Sequence, residues 1–248
     1  MSEQIEEVKK GDFALINYVC KVEESGEIVD TTIEEEAKKA GLYKEGTHYK
    51  PLFIIVGEGW VPKGLDESLI GLTAGKTTVI KVPPEKGYGV RDPSKIKLIP
   101  LRKFKKEGLN PTPGMHIEID NKPALIRAVG AGRVQVDFNH PLSGRTLIYE
   151  VSIEKILKDN VEKVKALISR RIPDVSEEKF KVGFTEDSVD IELPEEAFFI
   201  DGIQLAKRAI AFDILKYFNQ IKNVLFIERY EKKGVEGEQK QEGNLKDK

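Results

Sequence analysis

Cysteine occurs once in these 248 residues, as Cys20. No internal disulfide can form, which excludes disulfide-stapled scaffolds and makes a reducing, cytoplasmic setting the expectation. Histidine is nearly as scarce. His48, His116 and His140 stand far apart without the spacing of metal ligands, so neither a metal nor a cofactor is expected. No apolar run nears the ~20 residues of a membrane helix, and Met1 to Lys10 is too polar and charged for a signal peptide, so no membrane association is expected. An excess of one charge is missing too. The 40 Lys+Arg and 42 Asp+Glu leave a net charge of −2, so no overall field favours nucleic acid as a partner.

Several chemical signatures also fail. Gly71 to Thr77 imitates a phosphate loop, but it has three residues between its glycines where four are needed, and a strand rather than a helix follows. It reads as a turn. Gly57 and Gly59 lack the third glycine of a dinucleotide fingerprint, because Pro62 stands in its place. There is no nucleophile elbow. The basic run Arg102 to Lys106 reads as a solvated helix face.

What is present is ample core material, with 40% apolar residues. Charged residues reach 33% while Met occurs twice, a composition that leans towards a thermophile. Residues 13–22 (FALINYVCKV) read as a strand, as does the apolar run Pro51 to Val56 ended by Gly57. Thr31 and Glu34 have capping-box spacing for a short helix over 34–40. Leu65, Leu69 and Leu72 suit another helix. Lys76 to Val82 and Arg145 to Ile156 alternate as strands.

The texture changes between 90 and 137, where five prolines separate short strand candidates at 96–99, 115–119, 124–129 and 133–138. This β-rich module carries Ile96, Leu98, Ile99, Leu101, Phe104, Met115, Ile117, Leu125 and Ile126, more apolar groups than so small a unit readily hides. From Lys158 the order is helix, strand, strand, helix, strand. Residues 232–248 hold nine charges and two aliphatics and read as a disordered tail.

One constellation carries a resemblance. Tyr18, Val29-Asp30-Thr31-Thr32, Pro51 to Gly57, Gly64-Leu65, Gly87-Tyr88-Gly89 and Leu147 to Val151 follow one another in an order and spacing that resemble FK506-binding-protein (FKBP) type peptidyl-prolyl isomerases. The module after Gly89, closed by Asn139-His140-Pro141-Leu142-Ser143-Gly144, resembles the insert-in-flap of the SlyD branch. Residues 158–231 resemble the extra C-terminal domain of archaeal long-type members.

The resemblance implies an α+β fold. It would comprise an FKBP-like twisted antiparallel half-barrel on a short helix, a β-rich insert-in-flap domain and a C-terminal α+β domain. The implied domains are 1–89 plus 138–157, 90–137 and 158–231. The implied catalytic residues are Tyr88, Asp30 and Tyr18, with Asp30 held by the Tyr18 hydroxyl. Val29, Leu52, Ile54, Val61, Pro62, Leu65 and Tyr149 would line the proline-binding hollow, and Trp60 its rim. Ile54 alone among them reads as a plain core residue, and Trp60 reads equally as an incidental exposed aromatic.

The implied activity is cis–trans isomerisation of X–Pro bonds in unfolded or partly folded polypeptides, with chaperone work by the insert. The alternative is a folding chaperone whose isomerase site is weak or vestigial. Pro62 has no N–H, and stands where many members use a backbone N–H to bind ligand, which bears on substrate and on macrolide inhibitors. A nickel-handling role fits poorly, since residues 232–248 contain neither His nor Cys.

Overall fold

Strand β1 (Phe13–Val22) organises the first half of the chain. The computed structural model describes residues 6–231. Along one edge β1 pairs with β9 (Leu147–Leu157) over its whole length, with a bulge between Leu15 and Ile16. Its other edge is shared. Phe13 to Ile16 pair with β3 (Leu52–Ile55), and Val19 to Lys21 with β2 (Ile28–Thr31). Strand β4 (Thr77–Val82) completes the sheet on the far edge of β9. All pairings are antiparallel, and the right-handed twist of such strands curls the sheet around whatever fills its concave face.

That filling is α2 (Lys63–Leu69), whose Leu65 and Leu69 are fully buried. They meet Ile16, Ile54, Val82, Leu147, Val151 and Ile153 in one core cluster. Leu147, Tyr149, Val151 and Ile153 alternate with less buried neighbours, the two-residue period of a sheet with one inner face. Helix α2 approaches β4 closely at Gly64. A Cβ there would stand 2.8 Å from Val82 Cγ1 and 3.0 Å from Lys86 Cβ.

The capping box expected at Thr31 does not form. Helix α1 (Glu34–Lys39) has Ile33 at its N-cap with no side-chain cap. Thr31 Oγ1 instead donates to the Tyr18 carbonyl at 2.8 Å and accepts from Ile33 N at 3.1 Å. The β1–β2 pairing uses up the hydroxyl that the helix would need.

The insert forms its own four-stranded antiparallel sheet, ordered β5 (Ile96–Pro100), β8 (Arg133–Asp137), β7 (Lys122–Gly130), β6 (His116–Ile119). Asp120 and Asn121, both at positive φ (50° and 57°), turn β6 into β7. Helix α3 (Leu101–Lys106) carries the basic run on its outside and buries Phe104 against Ala124, Ile126, Val134 and Val136. The expected surplus of exposed apolar groups is therefore smaller than composition suggests. Phe104 and Ile126 are core, Ile99, Leu101, Met115 and Ile117 pack partly against them, and Leu98 remains 60% exposed.

The chain divides into two compact units between Lys158 and Asp159. In the second, α4 (Asn160–Arg171) starts at Asp159, whose Oδ1 accepts from Glu162 N at 2.9 Å. Strands β10 (Lys181–Phe184) and β11 (Ser188–Leu193) form a hairpin. Helix α5 (Ile203–Tyr217) then crosses to β12 (Asn223–Glu228), which pairs parallel to β11. Leu167, Ile168, Phe180, Val189, Ile191, Ile210 and Ile214 are buried in this unit. The tail expected at 232–248 lies outside the described residues.

Candidate active site

Sheet register brings the polar residues together. Tyr18 and Cys20 are two apart on β1 and so share a face. Cys20 pairs directly with Asp30 of β2 on one side and Tyr149 of β9 on the other. The Tyr18 hydroxyl donates to Asp30 Oδ2 at 2.7 Å. Asp30 is exposed rather than buried, so its carboxylate is solvated on one side and bonded on the other. The Tyr18 and Tyr149 rings meet edge-on, 5.7 Å apart.

Burial shapes the chemistry of this cluster. It pushes the Tyr18 hydroxyl well above its ordinary pKa, and the bond to Asp30 pushes it further. Tyr149 is driven up by burial and then by Cys20. The Cys20 thiol is pushed up to about 11, chiefly by burial. Cys20 is thus a buried, protonated thiol without the character of a nucleophile. Every hydroxyl here stays protonated at neutral pH and available as a donor.

Tyr88 comes from the bend between β4 and the insert. Gly89, at φ +80°, turns the chain, and its N–H donates to the Pro84 carbonyl at 2.8 Å. The Tyr88 hydroxyl is raised by partial burial and then by Asp30. Its ring stacks on His140 at 4.3 Å and 3°, and its carbonyl accepts from Ser143 Oγ at 3.0 Å. Tyr88 is 37% exposed, so one side of the ring remains open.

The apolar residues divide into floor and walls. Ile54 and Leu65 have no exposed surface and belong to the core beneath the cluster. Val29, Leu52 and Val61 are half-buried and pack on that core. Pro62 is half-buried at the N-cap of α2, where its carbonyl accepts from Asp66 N at 3.0 Å. Trp60 is half-buried and stands edge-on to Phe53 at 5.5 Å and 88°.

Four contributors escape a reading of the sequence. Cys20 and His140 touch the tyrosines, and Ser143 ties down the Tyr88 backbone. Asp66, only 5% exposed, accepts from Gly57 N and Gly59 N, each at 2.8 Å, and so fixes the loop that leads to Trp60, Val61 and Pro62. The spacing of Tyr18 and Cys20 could have signalled a shared face. Nothing local signals the other three.

The arrangement offers hydrogen-bond donors above an apolar floor, with no nucleophile. Among the described residues no group of three or more His, Cys, Asp or Glu side chains could hold a metal, and no helix is long and apolar enough to cross a membrane.

Comparison with known proteins bears directly on this site. The model of the FKBP-type peptidyl-prolyl cis-trans isomerase family matches residues 5–105. The short-type peptidyl-prolyl cis-trans isomerase of Methanocaldococcus jannaschii is 37% identical over 149 residues, 60% of this chain and 94% of that protein. The chain belongs to the FKBP-type peptidyl-prolyl cis-trans isomerases. The FKBP-type 16 kDa isomerase of Escherichia coli is 27% identical over 156 residues, 61% of this chain and 95% of its own. SlyD of Helicobacter pylori is 30% identical over 166 residues, 62% of this chain and 80% of its own. Two further models match this isomerase, the FKBP26 IF domain at residues 97–142 and the FKBP26 C-terminal domain at 160–231. Tyr18, Asp30 and Tyr88 fall within the isomerase match, His140 within that of the insert, and Tyr149 outside both.

Proposed function

We propose that this isomerase turns X–Pro bonds of unfolded or partly folded polypeptides in the hollow bounded by Val29, Leu52, Val61, Pro62, Tyr88 and Tyr149. Trp60 forms its rim, while Ile54 and Leu65, with no exposed surface, belong to the core beneath it. The reaction needs no proton acceptor or nucleophile. Rotation is slow because it must break amide resonance, a barrier of about 18–20 kcal/mol. The planar amide is the more polar form and is favoured by water. An apolar hollow removes part of that preference, while a donor fixed on the substrate carbonyl holds one side of the bond as the other turns. Tyr88 is that donor, and Asp30, held by Tyr18, orients the polar rim. The observation that carries this reading is the placement of Tyr88, 37% exposed, beside the Tyr18–Asp30 pair at the edge of the apolar core.

The insert, taken as 90–137 between the isomerase segments 1–89 and 138–157, holds client chains beside the hollow. Its outer strands β5 and β6 are each paired on one side only, and Leu98 is exposed. Such edges accept an extended chain with little sequence preference. Capture raises the local concentration of proline bonds without changing the chemical step. Macrolide inhibitors would fit the same hollow with one hydrogen bond fewer, because Pro62 has no N–H.

Replacing 91–137 by a short glycine-containing turn tests the division of labour. Isomerisation of a proline tetrapeptide should persist, while catalysis of a proline-limited protein refolding reaction should fall sharply. If both rates fall together, the insert only braces the flap. An inactive intact protein would overturn the isomerase reading itself.

A further inference from the structure

We infer that His140 is a positioning residue for catalysis, whose neutral imidazole ring holds Tyr88 in place over the hollow. The inference rests on the reading of Tyr88 as the substrate-binding donor.

The geometry has three parts. The two rings are parallel to within 3° and 4.3 Å apart, so His140 covers one face of the Tyr88 ring. The loop that carries His140 is tied to the bend that carries Tyr88. Ser143 Oγ donates to the Tyr88 carbonyl at 3.0 Å, and Gly144 N to the Gly89 carbonyl at 2.8 Å. The base of the insert clamps the same loop. Asn139 Oδ1 accepts from Asp92 N at 2.9 Å, while Asn139 Nδ2 donates to the Asp92 carbonyl at 2.9 Å and to Asp137 Oδ1 at 2.8 Å. Asp137 is in turn paired with Arg91 and Arg127. Tyr88 itself stands in a glycine-flanked bend with no regular element to fix it, so its direction depends on the stacked ring and on the Ser143 and Gly144 bonds, all of which lie outside residues 91–137.

The imidazole has a defined protonation state. Its Nδ1 accepts from Leu142 N at 3.2 Å, which places the ring proton on Nε2. A second proton would set N–H against N–H and open the turn. Partial burial, with no charged group contributing, lowers the His140 pKa in agreement with that arrangement. The titratable group stacked on His140 is Tyr88. Behind Tyr88 lie Asp30, Tyr149 and Cys20. The sign follows. Above its ordinary value of about 6.5 the ring is neutral in any state. Below that, the unfolded loop takes up a proton more readily than the packed one. The packed arrangement therefore loses stability as pH falls towards the lowered pKa, and is lost once the ring charges.

Two substitutions separate the ring from its hydrogen bond. His140→Phe keeps a planar ring but cannot accept from Leu142. His140→Asn keeps a local acceptor but cannot stack. The readout is tetrapeptide isomerisation by the full chain between pH 5.5 and 7.5, with thermal melts to verify folding. The wild type should lose rate towards pH 5.5. At pH 7.5 His140→Asn should be slower by about 2- to 12-fold, the range of one aromatic pairing. His140→Phe should stay within about twofold of wild type, by the same reasoning, and should lose the acid-side decline. Wild-type rates in His140→Asn, an equally slow His140→Phe, or an acid-side decline that survives in His140→Phe would each overturn the inference. Tyr88→Phe in the same assay keeps the two readings apart. An unchanged rate there would remove the role of Tyr88 itself, whereas a slow Tyr88→Phe beside unaffected His140 variants would remove only the role of His140.

Discussion

At the scale of single residues, the proposed site offers protonated hydroxyls rather than a shifted acid or base. Tyr18, Tyr88 and Tyr149 are all raised, with burial the first cause in each. A raised phenol stays a donor well into the alkaline range, so alkaline titration of these groups should not limit the enzyme near neutrality. Tyr88→Phe removes one donor and leaves the ring in its stack. Asp30→Ala removes the carboxylate that the Tyr18 hydroxyl holds at 2.7 Å. Each should slow isomerisation of a short proline peptide by about 5- to 150-fold, the equivalent of one lost hydrogen bond of ~1–3 kcal/mol. Stopped-flow traces with folding verified by circular dichroism would check this. Unchanged kinetics in both variants would move the active hollow elsewhere.

At the scale of elements, the hollow depends on how closely α2 lies against β4. Gly64 permits that approach, because Val82 and Lys86 occupy the space a Cβ would need. Gly64→Ala should therefore destabilise the first unit by about 1–3 kcal/mol, as overpacking does, despite the higher helix propensity of alanine. Thermal melting should show the drop. A rise in melting temperature would mean that the helix shifts freely. Asp66, two residues further along α2, ties the helix to the preceding loop by accepting from Gly57 N and Gly59 N. Part of this was legible beforehand. The paired leucines of α2 and the alternation in β4 and β9 were visible as periodicity. The spacing of Thr31 and Glu34 points to a short helix over 34–40, and one forms at 34–39, but Thr31 bonds to Tyr18 and Ile33 and leaves it uncapped.

At the scale of the whole molecule, each compact unit holds its own core. In the second unit Leu167, Ile168, Phe180, Val189, Ile191, Ile210 and Ile214 are buried among elements that all lie after Asp159. A fragment of residues 156–232 should melt cooperatively, with one transition seen alike by circular dichroism and fluorescence. A broad transition that differs between the two probes would show that the segment relies on the rest of the chain. Within the first unit the insert is continuous in sequence but interrupts the isomerase segment. Its two ends are joined where Asn139 bonds to Asp92 and Gly144 to Gly89.

Local pattern by itself determined the elements, their inward faces and the change of texture at 90 and 158. Periodicity and turn residues are properties of neighbouring positions, and side-chain direction follows from them. The order of Tyr18, Asp30, Tyr88 and Tyr149 pointed to the hollow only through its resemblance to the FKBP-type isomerases. Only the tertiary structure decided which partners meet. Cys20 reaches Asp30 and Tyr149 because two registers on opposite edges of β1 happen to coincide there, and a shift of one residue would turn it to the other face. His140 reaches Tyr88 across the whole length of the insert, a contact set by closure of that insert's two ends. Phe104 and Ile126, part of the insert's apolar surplus in sequence, are buried because α3 packs on its sheet. Burial, register and loop closure are long-range quantities, and no window along the chain contains them.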